Sequence, residues 1–111
     1  MTYKDYKNQN DYEAKVREII SIEGLKKQNR KQYIVHQRYF LMDFLRKKTK
    51  LSLTDIGLMF DRNHATVING LSQHENLTRF KDNVYKDNVR NIKEFLELKE
   101  PIPHSTSKIE N

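Results

Sequence analysis

Residues 51–77, LSLTDIGLMFDRNHATVINGLSQHENL, constrain the fold of this chain more than any other stretch. They read as two short helices joined by a tight polar turn. Ser52 is a good N-cap, and Asp55 three residues on supplies the acid of a capping box, where negative charge complements the helix N-terminus. Leu53, Ile56, Gly57 and Phe60 then fall on one helical face, flanked by Leu58 and Met59. Asp61, Arg62 and Asn63 interrupt the apolar pattern. A second helix opens at His64 with Asn63 as its cap. Val67, Ile68 and Leu71 form its expected buried stripe, which leaves His64, Ala65, Thr66 and Asn69 on or near the open side. The plan is that of a helix-turn-helix, in which the first residues of the second helix enter the DNA major groove.

The plainer alternative is a pair of amphipathic helices in an ordinary bundle. The chemistry at the start of the second helix weighs against it. Asp or Glu would suit the dipole of a merely solvated helix start better than Arg62, Asn63, His64 and Thr66. Those residues do suit base edges and phosphates: Arg and Asn make bidentate contacts, and Thr offers a hydroxyl and a methyl.

The run IGLMFDRNHATVINGL resembles the signature of the C-terminal DNA-binding domain of DnaA, the bacterial chromosomal replication initiator, a helix-turn-helix domain of Trp-repressor-like type. Ile56, Gly57, Phe60, Arg62, His64, Thr66 and Val67 match it. Asn63 stands where the family usually has Asp, and Ala65 where it usually has Thr or Ser, so the preferred DNA sequence can differ from the family's usual box. The resemblance extends in register to Leu25 and more loosely to Phe95. It implies a small all-α helical bundle in which Arg62, Asn63, His64, Ala65 and Thr66 read the major groove, the His on the thymine or phosphate side of the box.

Charge is distributed in keeping with that reading. The chain of 111 residues is one small domain in size and carries a net charge of +6, which suggests a polyanionic partner. Residues 26–50 hold nine Lys and Arg against the single acid Asp43. Within them the run KKQNRKQ has no helical periodicity. Taken alone it is a solvated loop. In the family, however, a basic loop precedes the long helix, and one of its arginines enters the minor groove. Counted back without gaps from Arg38, Arg30 takes that place, and arginine suits the narrow minor groove of A·T-rich DNA. Lys26, Lys27 and Lys31 are its expected phosphate-contacting neighbours, and Lys50 and Ser52 are further expected phosphate contacts. Arg38 matches a family arginine that approaches the DNA backbone; a surface ion pair explains it equally well.

The remaining chain frames this unit. Residues 1–10 are expected to be a loose arm, residues 11–99 a single helical domain with the helix-turn-helix at about 52–77, and residues 100–111 a disordered tail. Asp11 caps a first helix with Val16, Ile19 and Ile20 on its apolar face, and Gly24 stops it. A central packing helix runs from Tyr33 to about Lys48, with Ile34, Tyr39 or Val35, Phe40, Leu41, Phe44 and Leu45 as its stripe. A last helix starts at Thr78 or Asp82 and reaches about Lys99, burying Val84 or Tyr85, Val89, Ile92, Phe95 and Leu96.

No catalytic constellation appears. The sequence has no Gly-Lys-Ser or Gly-Lys-Thr phosphate loop and no cysteine, and His36, His64, His74 and His104 lack metal-ligand spacing. No enzyme activity, cofactor or metal is expected. No apolar run approaches a membrane span, and the N-terminus lacks the apolar segment of a signal peptide, so a cytoplasmic protein is expected. The expected function is sequence-specific binding of double-stranded DNA by a stand-alone domain without ATPase activity, as a monomer, in replication-origin recognition or its regulation. Replication proteins are further candidate partners. The alternatives are a transcriptional repressor of Trp-repressor type and a helical protein-interaction module that does not bind DNA.

Overall fold

The computed structural model describes residues 11–97; the expected arm, tail and last two residues of the domain lie outside the described residues. The fold is all-α, as the sequence predicts. Five helices follow in order: α1 (Tyr12–Glu23), α2 (Gln32–Lys48), α3 (Leu53–Met59), α4 (His64–Arg79) and α5 (Asn83–Glu97).

Local chemistry sets the boundaries. The Ala14 N–H donates to Asp11 Oδ1 (3.1 Å) at the start of α1. At its end Gly24 takes the left-handed conformation (φ 67°), which glycine adopts at least cost. Ser52 caps α3 by accepting from the Asp55 N–H at 3.0 Å, and Asn63 caps α4. The last helix starts after Asp82, whose carboxylate accepts from the Tyr85 N–H at 2.8 Å.

Helix α2 lies at the centre and packs against all four others. Its Ile34, Leu41, Met42, Phe44 and Leu45 are buried against Val16, Ile19 and Ile20 of α1, Ile56 of α3, Val67 of α4, and Tyr85, Val89, Ile92 and Leu96 of α5. Each such side chain contributes roughly 1.5–3 kcal/mol of apolar burial, so the stripes read from periodicity carry the fold.

Two readings of α4 are corrected, and an alternative left open in α5 is resolved. Helix α4 does not stop near Leu77 but continues to Arg79. Ile68, expected in its buried stripe, is 51% exposed. Gly70 is buried in its place, close against Met42 and Tyr39 of α2, so α4 is rotated to present Val67, Gly70 and half-buried Leu71 inward. In α5 the choice between Val84 and Tyr85 falls to Tyr85, which is buried, while Val84 is exposed.

Candidate nucleic-acid interface

The turn between α3 and α4 is held by backbone bonds converging on Gly57, whose carbonyl accepts from the N–H of Phe60 (3.0 Å) and of Arg62 (2.8 Å). A Cβ on Gly57 would stand 2.6 Å from Arg62 O and 3.0 Å from Asn63 O, so only glycine lets the turn fold back onto α3. Asp61 bends the chain at φ 60°, a conformation Asp tolerates better than most residues. Fully buried Phe60 anchors the turn from beneath.

This geometry fixes the first turn of α4. Asn63 Oδ1 accepts from the Thr66 N–H (3.0 Å) and the Thr66 hydroxyl (3.2 Å). Asn63, His64 and Ala65 are exposed at the helix start, while Thr66 is half-buried behind the cap. The carboxamide N–H groups of Asn63 and the imidazole of His64 thus face outward from a rigid helix end.

Arg62 is placed differently from the other expected base readers. Its guanidinium lies back on the loop between α1 and α2: Nη1 donates toward Lys26 O (3.1 Å), Phe60 O (2.8 Å) and Asp61 O (3.3 Å), and Nη2 toward Lys27 O (2.9 Å). Arg38, expected at a phosphate or in a surface ion pair, is buried instead. It is 8% exposed; its Nε donates to Leu25 O at 2.9 Å, and its Nη2 to Lys27 O. The physical reason is the same for both. Residues 25–27 leave α1 with carbonyls that no helix satisfies, and a planar guanidinium supplies several donors at once. Burial, followed by the nearby Arg62 charge, pushes the Arg38 guanidinium pKa down from its ordinary value.

The two arginines therefore meet on Lys27 O and fasten the basic loop to the turn that precedes α4. Lys26, Lys27, Arg30, Lys31 and Lys50 are all exposed, and the first four ride on the loop so fastened. Asn29 stiffens that loop by accepting from the Lys31 N–H at 2.9 Å. Ser52 is exposed with its hydroxyl oxygen engaged as the α3 cap. The structure brings the loop beside the turn that precedes α4; Lys50 and Ser52 belong to the separate corner between α2 and α3. Sequence reading missed the clamp because an arginine aimed at backbone carbonyls has no sequence partner to mark it.

A second set of polar contacts ties the helices of the bundle to one another. Tyr85 OH and His74 Nδ1 are 2.6 Å apart, and His74 Nε2 is 3.2 Å from Asp43 Oδ2. With Nε2–H donating to the carboxylate, Nδ1 accepts from the phenol. The trio has the residue types of a catalytic relay but the opposite electrostatics. Burial pushes the Tyr85 phenol pKa up and the His74 imidazole pKa down, so Tyr85 stays protonated at neutral pH. A second bond, from Asn88 Nδ2 to His36 Nδ1 at 3.1 Å, joins α5 to α2 in the same way. These are interhelical ties. Among the described residues no group of three or more His, Asp or Glu could hold a metal ion, and no helix is long and apolar enough to cross a membrane.

Comparison with known proteins bears on the same residues. The family model for the bacterial DnaA protein helix-turn-helix matches residues 18–73, half of the chain. The chain is 35% identical over 80 residues to the chromosomal replication initiator protein DnaA of Flavobacterium psychrophilum, covering 71% of this chain and 16% of that protein. It is 40% identical over 70 residues to the DnaA of Oleidesulfovibrio alaskensis (59% of this chain, 15% of the relative). The DnaA of Porphyromonas gingivalis is 48% identical over 52 residues (46% and 11%). The aligned part is thus less than a fifth of each relative's length. No solved structure matches the chain. Helix order, turn and family match agree: the chain belongs to the bacterial DnaA helix-turn-helix family, a DNA-binding and not a catalytic family.

Proposed function

We propose that this chain recognises a specific double-stranded DNA sequence and acts in replication-origin recognition or its regulation, without hydrolysing nucleotide itself. Asn63, His64, Ala65 and Thr66 read base edges in the major groove. Arg30 enters the adjacent minor groove, and Lys26, Lys27, Lys31, Lys50 and Ser52 meet phosphates. Arg38 and Arg62 act behind this surface by holding the basic loop against the reading turn. One observation carries the reading: the outward first turn of α4 is tied, through Arg62, to the exposed basic loop. A major-groove reader and a minor-groove arm then approach one duplex in fixed relation. The absence of any Gly-Lys-Ser or Gly-Lys-Thr sequence supports the lack of nucleotide hydrolysis.

The test is selection from a random duplex library, followed by salt titration on the selected site. The expected result is one asymmetric site bound by a monomer, with affinity falling steeply as salt rises. A chain that selects no site, or whose affinity for duplex DNA is insensitive to salt, would sink the proposal.

A further inference from the structure

Ile68 is out of place by the logic of the core. Besides Val67 it is the only β-branched apolar residue of α4, yet it is 51% exposed while Gly70 is buried. At about 100° per residue, Ala65, Ile68, Asn69 and Ser72 fall within an arc about 100° wide on the outer face of α4. All four are exposed. Ile68 lies one helical turn beyond His64, about 6 Å along the axis, so a helix that inserts its first turn into the major groove carries Ile68 to the bases as well. Ala65, standing where the family usually has Thr or Ser, extends the apolar surface toward the helix start.

An apolar strip on such a face has one complementary feature among the four base edges. Thymine alone displays a methyl group in the major groove; guanine, adenine and cytosine offer only donors and acceptors there. We infer that Ile68, continued by Ala65, packs against the C5-methyl group of a thymine and sets a preference for thymine at one position of the bound site. The inference rests on the DNA-reading proposal above and assigns a specificity residue to it.

Deoxyuridine differs from thymidine only by that methyl group, so the experiment pairs the protein and DNA changes. Each thymine of the selected site is replaced in turn by deoxyuridine, and Kd is measured for the unmodified chain and for Ile68→Ala. Because Ile68 is half exposed and alanine has the higher helix propensity, Ile68→Ala should lower the melting temperature by only a few degrees. At one thymine the loss of the methyl should weaken the unmodified chain about fourfold, the value of one buried methyl-sized group. Ile68→Ala should weaken binding to the thymine site and show no further loss with deoxyuridine at that position. If deoxyuridine costs both proteins equally at every position, the inference is wrong although the domain reads DNA. If the unmodified chain shows no preferred site at all, the DNA-reading proposal fails and this inference with it.

Discussion

Arg62→Ala tests whether this arginine is a base reader or a clamp, because the two roles predict different losses. As a base reader Arg62 is dispensable to the free protein. As a clamp it contributes in the absence of DNA. Nη1 has two N–H groups facing three carbonyls, and Nη2 commits one N–H to Lys27 O, so at most three good hydrogen bonds form. A net hydrogen bond contributes about 1 kcal/mol, and partial exposure of this side chain lowers the sum to roughly 1–2 kcal/mol. For a domain of this size each kcal/mol shifts Tm by about 4–8 °C, so Arg62→Ala should melt roughly 5–15 °C lower. Amide exchange at residues 26–31 should accelerate, since Arg38 is then the one guanidinium left to hold the loop. On DNA the loss should centre on the A·T position read by Arg30, with the preferences set by His64 and Ala65 retained. A variant with unchanged Tm and loop exchange, but with a flattened preference at a major-groove position, would refute the clamp and restore Arg62 to the base edges.

Further outcomes follow from the same contacts. Gly57→Ala should cost about 2 kcal/mol or more in chemical denaturation, because its Cβ would meet the Arg62 carbonyl at 2.6 Å and backbone cannot step aside. Gly70→Ala meets only the Met42 sulfur at the same 2.6 Å, a flexible side chain, and gains up to about 1 kcal/mol of helix propensity, so its net change should be much smaller. Lys27→Ala should weaken preferred and random duplex alike and lower the salt slope by about 1, checked by titration at several salt concentrations. Burial lowers the folded-state pKa of His36 and His74 below the ordinary 6.5. The unfolded chain therefore binds protons more readily, and stability is full above pH 6.5 and declines as pH falls through and below it. Melting between pH 7.5 and 5 should show the decline, and His74→Gln should reduce it.

What the sequence disclosed and what it withheld divide along a physical line. Helix ends are decided within four residues, so Asp11, Gly24, Ser52 and Asn63 could be read directly and recur in the structure as caps. Apolar stripes are decided by period, and those of α1 and α2 recur as core. The orientation of α4 is not decided locally. Its sequence offers Val67, Ile68 and Leu71 as an inward face, and no property of those side chains favours another rotation. The deciding contact is with α2: because Gly70 has no Cβ, Met42 can lie where a side chain would otherwise stand, and the two helices close along that line. Turning Gly70 inward turns Ile68 outward, which trades a buried apolar residue for an apolar surface on the outer face of α4. The same holds for Arg38 and Arg62, which reach carbonyls of a loop 11 to 36 residues away in the chain. Residues that act through such contacts carry the fine geometry of this interface, and their types alone, a glycine in a helix and two arginines in a basic stretch, point to weaker helix and stronger DNA contact. Packing assigns the glycine to helix orientation and the arginines to the shape of the surface proposed to meet DNA.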